Sequence, residues 1–177
     1  MRARLVWAAA CALLAACATG GRTDTVAPTT TSAAARTGLS VDDLSPVIAA
    51  LGDTVPDAEF TEINIQPALV NLFVAGNGDT ERAFVWRNGA LETPPEPTPR
   101  LPGAVVFGLG GVDLAAPKAI RAELDRSLPK SQLVGLTLAV DPTLGLSWSA
   151  SMLGEHGGGF VASFTPTGSV IGAMPAG

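Results

Sequence analysis

Between Leu144 and Met152 the chain alternates without a break: Leu144, Leu146, Trp148, Ala150 and Met152, with Gly145, Ser147, Ser149 and Ser151 between them. A period of two predicts a strand with one apolar and one polar face. Just upstream, Leu138 to Leu144 reads apolar, any, apolar, polar, Pro, small, Leu, and Ile63 to Leu69 has the same skeleton around Pro67. Each is a strand running into a proline turn. Ala83 to Gly89 and Ala162 to Gly168 read as further strands ending in turn signals, Asn88-Gly89 and Pro166-Thr167-Gly168. Two stretches change to a helical period. Val47, Ile48 and Leu51 follow Ser45 as a cap and Pro46 in the first turn, and stop at Gly52. Ile120, Leu124 and Leu128 share one face, with Lys118, Arg121, Asp125 and Arg126 away from it, and this helix ends before Pro129.

The helix entrances also echo one another: Gly38-Leu39-Ser40-Val41-Asp42-Asp43-Leu44-Ser45-Pro46 returns as Gly108-Leu109-Gly110-Gly111-Val112-Asp113-Leu114-Ala115-Ala116-Pro117, one residue longer. The expected fold is α+β: two α-β-β-β repeats, 39–93 and 103–177, sharing one antiparallel sheet with helices on one face. Residues 94–102, opening on Pro94-Pro95-Glu96-Pro97, are a stiff connector within a single domain, 39–177.

Overlaying the copies makes one expectation about function. With Trp148 and its alternating neighbours inside, the overlay puts Leu69, Asn71, Phe73 and Ala75 inside and turns Val70, Leu72 and Val74 outward. Phe84 and Trp86 then fall opposite Ser163 and Thr165. An apolar outer surface marks a contact site, so Val70, Leu72, Val74, Phe84 and Trp86 are the candidate binding face. The alternative is that the Pro-rich connector or a loop covers them, as for a sheet buried on both sides.

The N-terminus carries a different pattern. Arg2 and Arg4 precede an apolar run, Leu5 to Ala16, which is shorter than the roughly 20 residues a membrane span needs. It ends in Leu14-Ala15-Ala16-Cys17, which resembles the bacterial lipoprotein signal: an aliphatic residue, two small ones and cysteine. That resemblance implies cleavage after Ala16, a diacylglycerol on the Cys17 sulfur, and a domain anchored to the membrane on its extracytoplasmic side. The alternative is an ordinary secretory signal with a cysteine at its end. The expected division is a signal peptide, 1–16, a flexible tether, 17–38, and the folded domain. In the tether Thr29, Thr30, Thr31 and Ser32 beside Pro28 either carry O-linked sugars or form a plain spacer. The other cysteine, Cys11, lies in the segment to be removed, so the domain is expected to rely on core burial without disulfides.

Charge narrows the partners. The chain has 11 Lys and Arg against 16 Asp and Glu; loss of Arg2 and Arg4 takes its net charge from −5 to −7. An acidic chain lacks the basic stripe that nucleic acid requires, so no nucleic-acid partner is expected. The expected partners are the membrane, through the lipid, and an envelope protein or an apolar ligand.

A helix followed by a meander, twice over, resembles the PepSY-like and tandem helix-plus-sheet folds of small bacterial envelope proteins, including secreted β-lactamase inhibitors. The likeness is one of layout across residues 39 to 177. It implies binding or inhibition, and carries over no functional residue.

Catalytic patterns are incomplete. His156, the one histidine, sits in Gly154-Glu155-His156-Gly157-Gly158-Gly159 and reads as a loop residue at a hairpin tip. Ser127 and Lys130 have Ser-x-x-Lys spacing, but Pro129 breaks the helical turn that would align them. Phe107-Gly108-Leu109-Gly110-Gly111 is glycine-rich, yet Asp113 stands where a dinucleotide fingerprint needs its third glycine. The carboxylate pairs Asp42 with Asp43 and Glu59 with Glu62 read as solvated capping and strand-edge residues. No catalysis, metal or cofactor is expected. The reading is a tethered, non-catalytic binding or inhibitory module that uses a sheet face. Its alternative is a carrier holding a lipid or other apolar ligand between sheet and helices; a pocket of a few hundred Å³ between helices and sheet would favour the carrier, and a filled core with a flat apolar outside would favour docking.

Overall fold

The computed structural model describes residues 39–92 and 96–175. The signal segment, Cys17, the tether and Pro94-Pro95 of the connector lie outside the described residues. In chain order the elements are α1 (Ser45–Gly52), β1 (Phe60–Ile65), β2 (Val70–Ala75), β3 (Thr80–Arg87), β4 (Ala90–Glu92) and β5 (Thr98–Pro99). They continue with α2 (Ala116–Ser127), β6 (Gln132–Asp141), β7 (Gly145–Leu153), β8 (Gly159–Phe164) and β9 (Val170–Pro175). Among the described residues the fold is α+β, with nine strands in one sheet of order β4-β3-β2-β1-β6-β7-β8-β9 and β5 beside β3. Every pairing is antiparallel. Each helix is followed by a four-strand meander, one strand more than the sequence pattern predicts.

Local chemistry explains the ends of these elements. Pro46 and Pro117 each occupy the second position of a helix, where no intrahelical N–H is needed. The first capping role falls to Asp43 and not to Ser45: the Asp43 carboxylate accepts the Ser45 N–H at 2.7 Å, and Asp113 accepts that of Ala115 at 2.9 Å. Hydrogen bonding to Ser45 holds the Asp43 carboxyl below its usual range. Asn88 and Gly89, both at positive φ (54° and 79°), form the tight turn that joins β3 to β4.

One row of residues runs straight across the sheet. Phe84, Leu72, Ile63, Leu138, Trp148 and Phe164 are successive cross-strand partners from β3 to β8, and each is essentially fully buried. Val47 and Leu51 of α1 and Ile120 and Leu124 of α2 join the same core. The helix entrances are tied to each other as well: Leu44 N–H donates to Leu114 O at 2.9 Å, and Arg121 donates to Asp42 Oδ1 at 2.7 Å. The other sheet face is mostly small and polar, with Phe73 and Val85 as apolar exceptions. Asn71, Asn64, Thr137, Ser149 and Ser163 are direct partners in one row, all half-buried.

That arrangement reverses the expected orientation of β2 and β3. Val70, Leu72, Val74 and Phe84 face the core, while Asn71 and Phe73 are on the opposite side. The cause is a turn of different length. Ile63 pairs with Leu72, nine positions on, whereas Leu138 pairs with Trp148, ten positions on. A one-residue slip in a strand moves every side chain to the other face, so Leu72, and not Phe73, occupies the position that Trp148 has in the second meander. Trp86 is half-buried against the same core, opposite Val70 and Leu91.

Candidate cavity beneath the connector

After β4 the chain returns to the edge of β3, where Thr98 and Pro99 pair with Glu81 and Thr80. It next pairs at Phe107, whose N–H and carbonyl exchange 2.8 Å hydrogen bonds with Phe60 of β1. Since β2 lies between β3 and β1, the connector must cross the end of β2 to get there. Phe107 is held there by packing as well, its ring 6.0 Å from that of Phe60 at 33°.

A cavity of about 770 Å³ lies between this crossing and the core face. Val74 and Phe84, almost fully buried, lie beneath it, Val55, just beyond α1, lines one side, and Pro97 of the connector and Val106, a few residues past it, line another. Its polar groups are Arg82, Arg100, Glu59, Asn77 and Thr80. The β2–β3 turn shapes the rim: Thr80 Oγ1 donates to Asn77 O at 2.9 Å, and a Cβ on Gly76 would sit 2.6 Å from the Thr80 Oγ1. Glycine is therefore the residue that fits there.

Arg100 is held by its backbone and by one end of its side chain. Its N–H donates to Asp79 O at 2.8 Å, and Nη2 donates to Gly78 O at 2.9 Å. Its Nε is buried with no acceptor. Arg82 stands across from Val74, is exposed, and makes no ion pair among the described residues.

Of the five residues expected on an outer binding face, Val74 and Phe84 therefore line a cavity on the inner side. Val70 and Leu72 are sealed in the core, and Trp86 packs at its margin. Arg82 and Arg100 carry no local motif, and only the path of the connector brings them together.

The remaining candidates are dispersed. Ser127 Oγ donates to Glu123 at 2.7 Å, whereas Lys130 pairs with Glu155 at 3.2 Å, so serine and lysine have separate partners. His156 is exposed in the β7–β8 hairpin, beside Gly157 at φ 86°. Among the described residues no group of three or more His, Cys, Asp or Glu is placed to hold a metal. Asp42 is engaged with Arg121 and Asp43 with the α1 entrance, while Glu59 reaches the cavity. Glu62 differs from expectation: it is half-buried on the polar sheet face, where burial, and then the nearby Glu81 carboxylate, push its carboxyl up. Glu81 itself is buried and accepts the Thr61 hydroxyl at 2.8 Å.

No family model, curated protein or solved structure matches this chain. No helix among the described residues is long and apolar enough to cross a membrane.

Proposed function

We propose that this protein is a non-catalytic binding module, exported, anchored to the membrane through Cys17, and carrying a small ligand with an apolar body in the cavity under its connector. The observation that carries this reading is the cavity itself. At about 770 Å³ it falls in the size range of small-molecule sites, and Val55, Pro97 and Val106 give it apolar walls. Docking of a partner protein through Val70, Leu72 and Trp86 loses its basis, because those side chains are occupied in the core. The symmetric strand order about the β1–β6 pair, with a helix ahead of each meander, supports reading the domain as a duplicated unit. In that reading the cavity arises where the copies differ, since the connector crosses only the first.

The anchor and the cavity are tested separately. Cys17→Ser should move the protein from the membrane fraction to the soluble one; continued membrane association would overturn lipid anchoring. That soluble variant should bind the neutral fluorophore N-phenyl-1-naphthylamine saturably, at one molecule per chain. Val106→Trp, which adds bulk from the connector side, should abolish the signal while leaving the melting temperature close to that of its parent. Absent or non-saturable binding, or binding untouched by Val106→Trp, would overturn the carrier reading.

A further inference from the structure

The two edges of the sheet are finished differently. At one edge β4 is only three residues long, α1 lies against it, and Arg87 and Glu92 form an ion pair there at 3.9 Å. Short length, cover and charge are the means by which proteins keep an edge strand from pairing with another chain. At the other edge β9 has six residues, Val170-Ile171-Gly172-Ala173-Met174-Pro175, and among the described residues it pairs with β8 alone. Backbone N–H and C=O groups point alternately to either side of a strand, so one row of them in β9 faces away from the protein. Nothing shields this row: Val170 and Ile171 are 56% and 43% exposed, and Gly172 and Ala173 are exposed as well.

Charge decides what can pair there. The last three strands, β7, β8 and β9, contain no Lys, Arg, Asp or Glu, in a chain whose formal net charge is −5. Two copies of an acidic chain repel one another over most of their surface, and least at a neutral edge. We propose that β9 pairs with β9 of a second copy, antiparallel, about a two-fold axis normal to the sheet. Each copy then supplies the same patch, as a two-fold contact requires, and both helix layers lie on the same side of one continuous sheet. Because β4 is blunted, each copy has a single open edge, and association stops at the dimer instead of growing into a fibre. The extra residue at Ile171, where the β8–β9 register shifts, and Pro175, which lacks an N–H, bound the free ladder. So short a ladder buries less than the roughly 1,200 Å² of a stable interface, and the dimer is weak and concentration-dependent. Copies held on one membrane, as in the reading above, meet at a higher effective concentration. The contact lies on the second meander, and the cavity on the first.

The test is sedimentation velocity over a concentration series, on the full chain carrying Cys17→Ser so that no detergent is needed. The sedimentation coefficient should rise with concentration towards the value of a dimer. Ala173→Lys sets two like charges beside each other across the two-fold axis; it should weaken association tenfold or more and leave the melting temperature of the dilute monomer unchanged. Ile171→Lys takes its place if that variant folds poorly. Ala90→Lys, on the β4 edge, should associate as its parent does. A mixture of Ala173→Lys and Ala173→Glu chains should recover a dimer containing one copy of each, which a general loss of stability could not produce. A chain that stays monomeric at every concentration would overturn self-pairing, as would association untouched by either lysine on β9, or a mixture that fails to associate. Species that keep growing beyond the dimer would show that β4 joins as well, and would overturn the closed two-fold contact.

Discussion

Ile63 of β1 and Leu138 of β6 stand directly opposite one another, each fully buried, at the join where the first five strands meet the last four. Both touch the same core as the two helices, so each half of the sheet borrows burial from the other. Leu138→Ala should therefore cost about 2–5 kcal/mol, the range for a buried leucine whose cavity does not fully collapse. Urea denaturation followed by tryptophan fluorescence should show one transition at lower midpoint, with Trp86 and Trp148 reporting together. Two separated transitions would mean that the halves unfold independently.

The inward orientation of β3 can be tested with neighbouring residues. Phe84 is about 1% exposed, whereas Val85 is half-buried on the polar face. Phe84→Ala should destabilise by about 3–5 kcal/mol. Val85→Ala should cost about 1 kcal/mol or less, the scale of strand propensity. Similar losses from the two substitutions would contradict the register.

Glu62 gives the fold a pH dependence of a particular sign. Burial and the neighbouring Glu81 raise its carboxyl above the ordinary value of 4.5, so the folded state holds this proton more tightly than the unfolded chain does. Its contribution to stability is present in full below 4.5 and is lost as pH rises through the folded-state value. Glu62→Gln, which stays neutral, should therefore raise the melting temperature at pH 7. The advantage should shrink towards zero in melts recorded well below pH 4.5. An advantage independent of pH would point to packing instead of charge.

The contact between helix entrances is a polar one. Arg121 and Asp42 approach to 2.7 Å, with side chains 37% and 40% exposed. Solvent weakens such a pair, so a double-mutant cycle with Arg121→Ala and Asp42→Ala should give a coupling of about 0.2–1 kcal/mol that fades with added salt. A larger, salt-independent coupling would show that the pair also governs how α1 and α2 seat on the sheet.

Much of the architecture was legible because it depends on local rules. The alternation around Trp148, the Asn88-Gly89 turn, and the proline entrances of both helices each act over a few residues, and each forms close to where its pattern lies. The facing of β2 was illegible for an equally physical reason. Its apolar residues alternate as they should, but which side is inward depends on a turn one residue shorter than its counterpart in the second meander. The apolar character of Val70, Leu72, Val74 and Phe84 is plain in the sequence, whereas the side they face is not. The cavity depends on the route between Thr98 and Phe107, which no periodicity encodes, so Arg82 and Arg100 gave no signal before the chain was folded.

The same route has a consequence for how such a protein can diversify. Thr98-Pro99 and Phe107 are fixed by pairing, while Leu101, Pro102 and Gly103 between them are exposed. Loop lengthening is inexpensive, about 0.6 kcal/mol for each doubling. Insertions there would enlarge or reshape the space beneath the connector while every strand keeps its partner, so this region can vary in descendants, or be re-engineered, without renegotiating the scaffold.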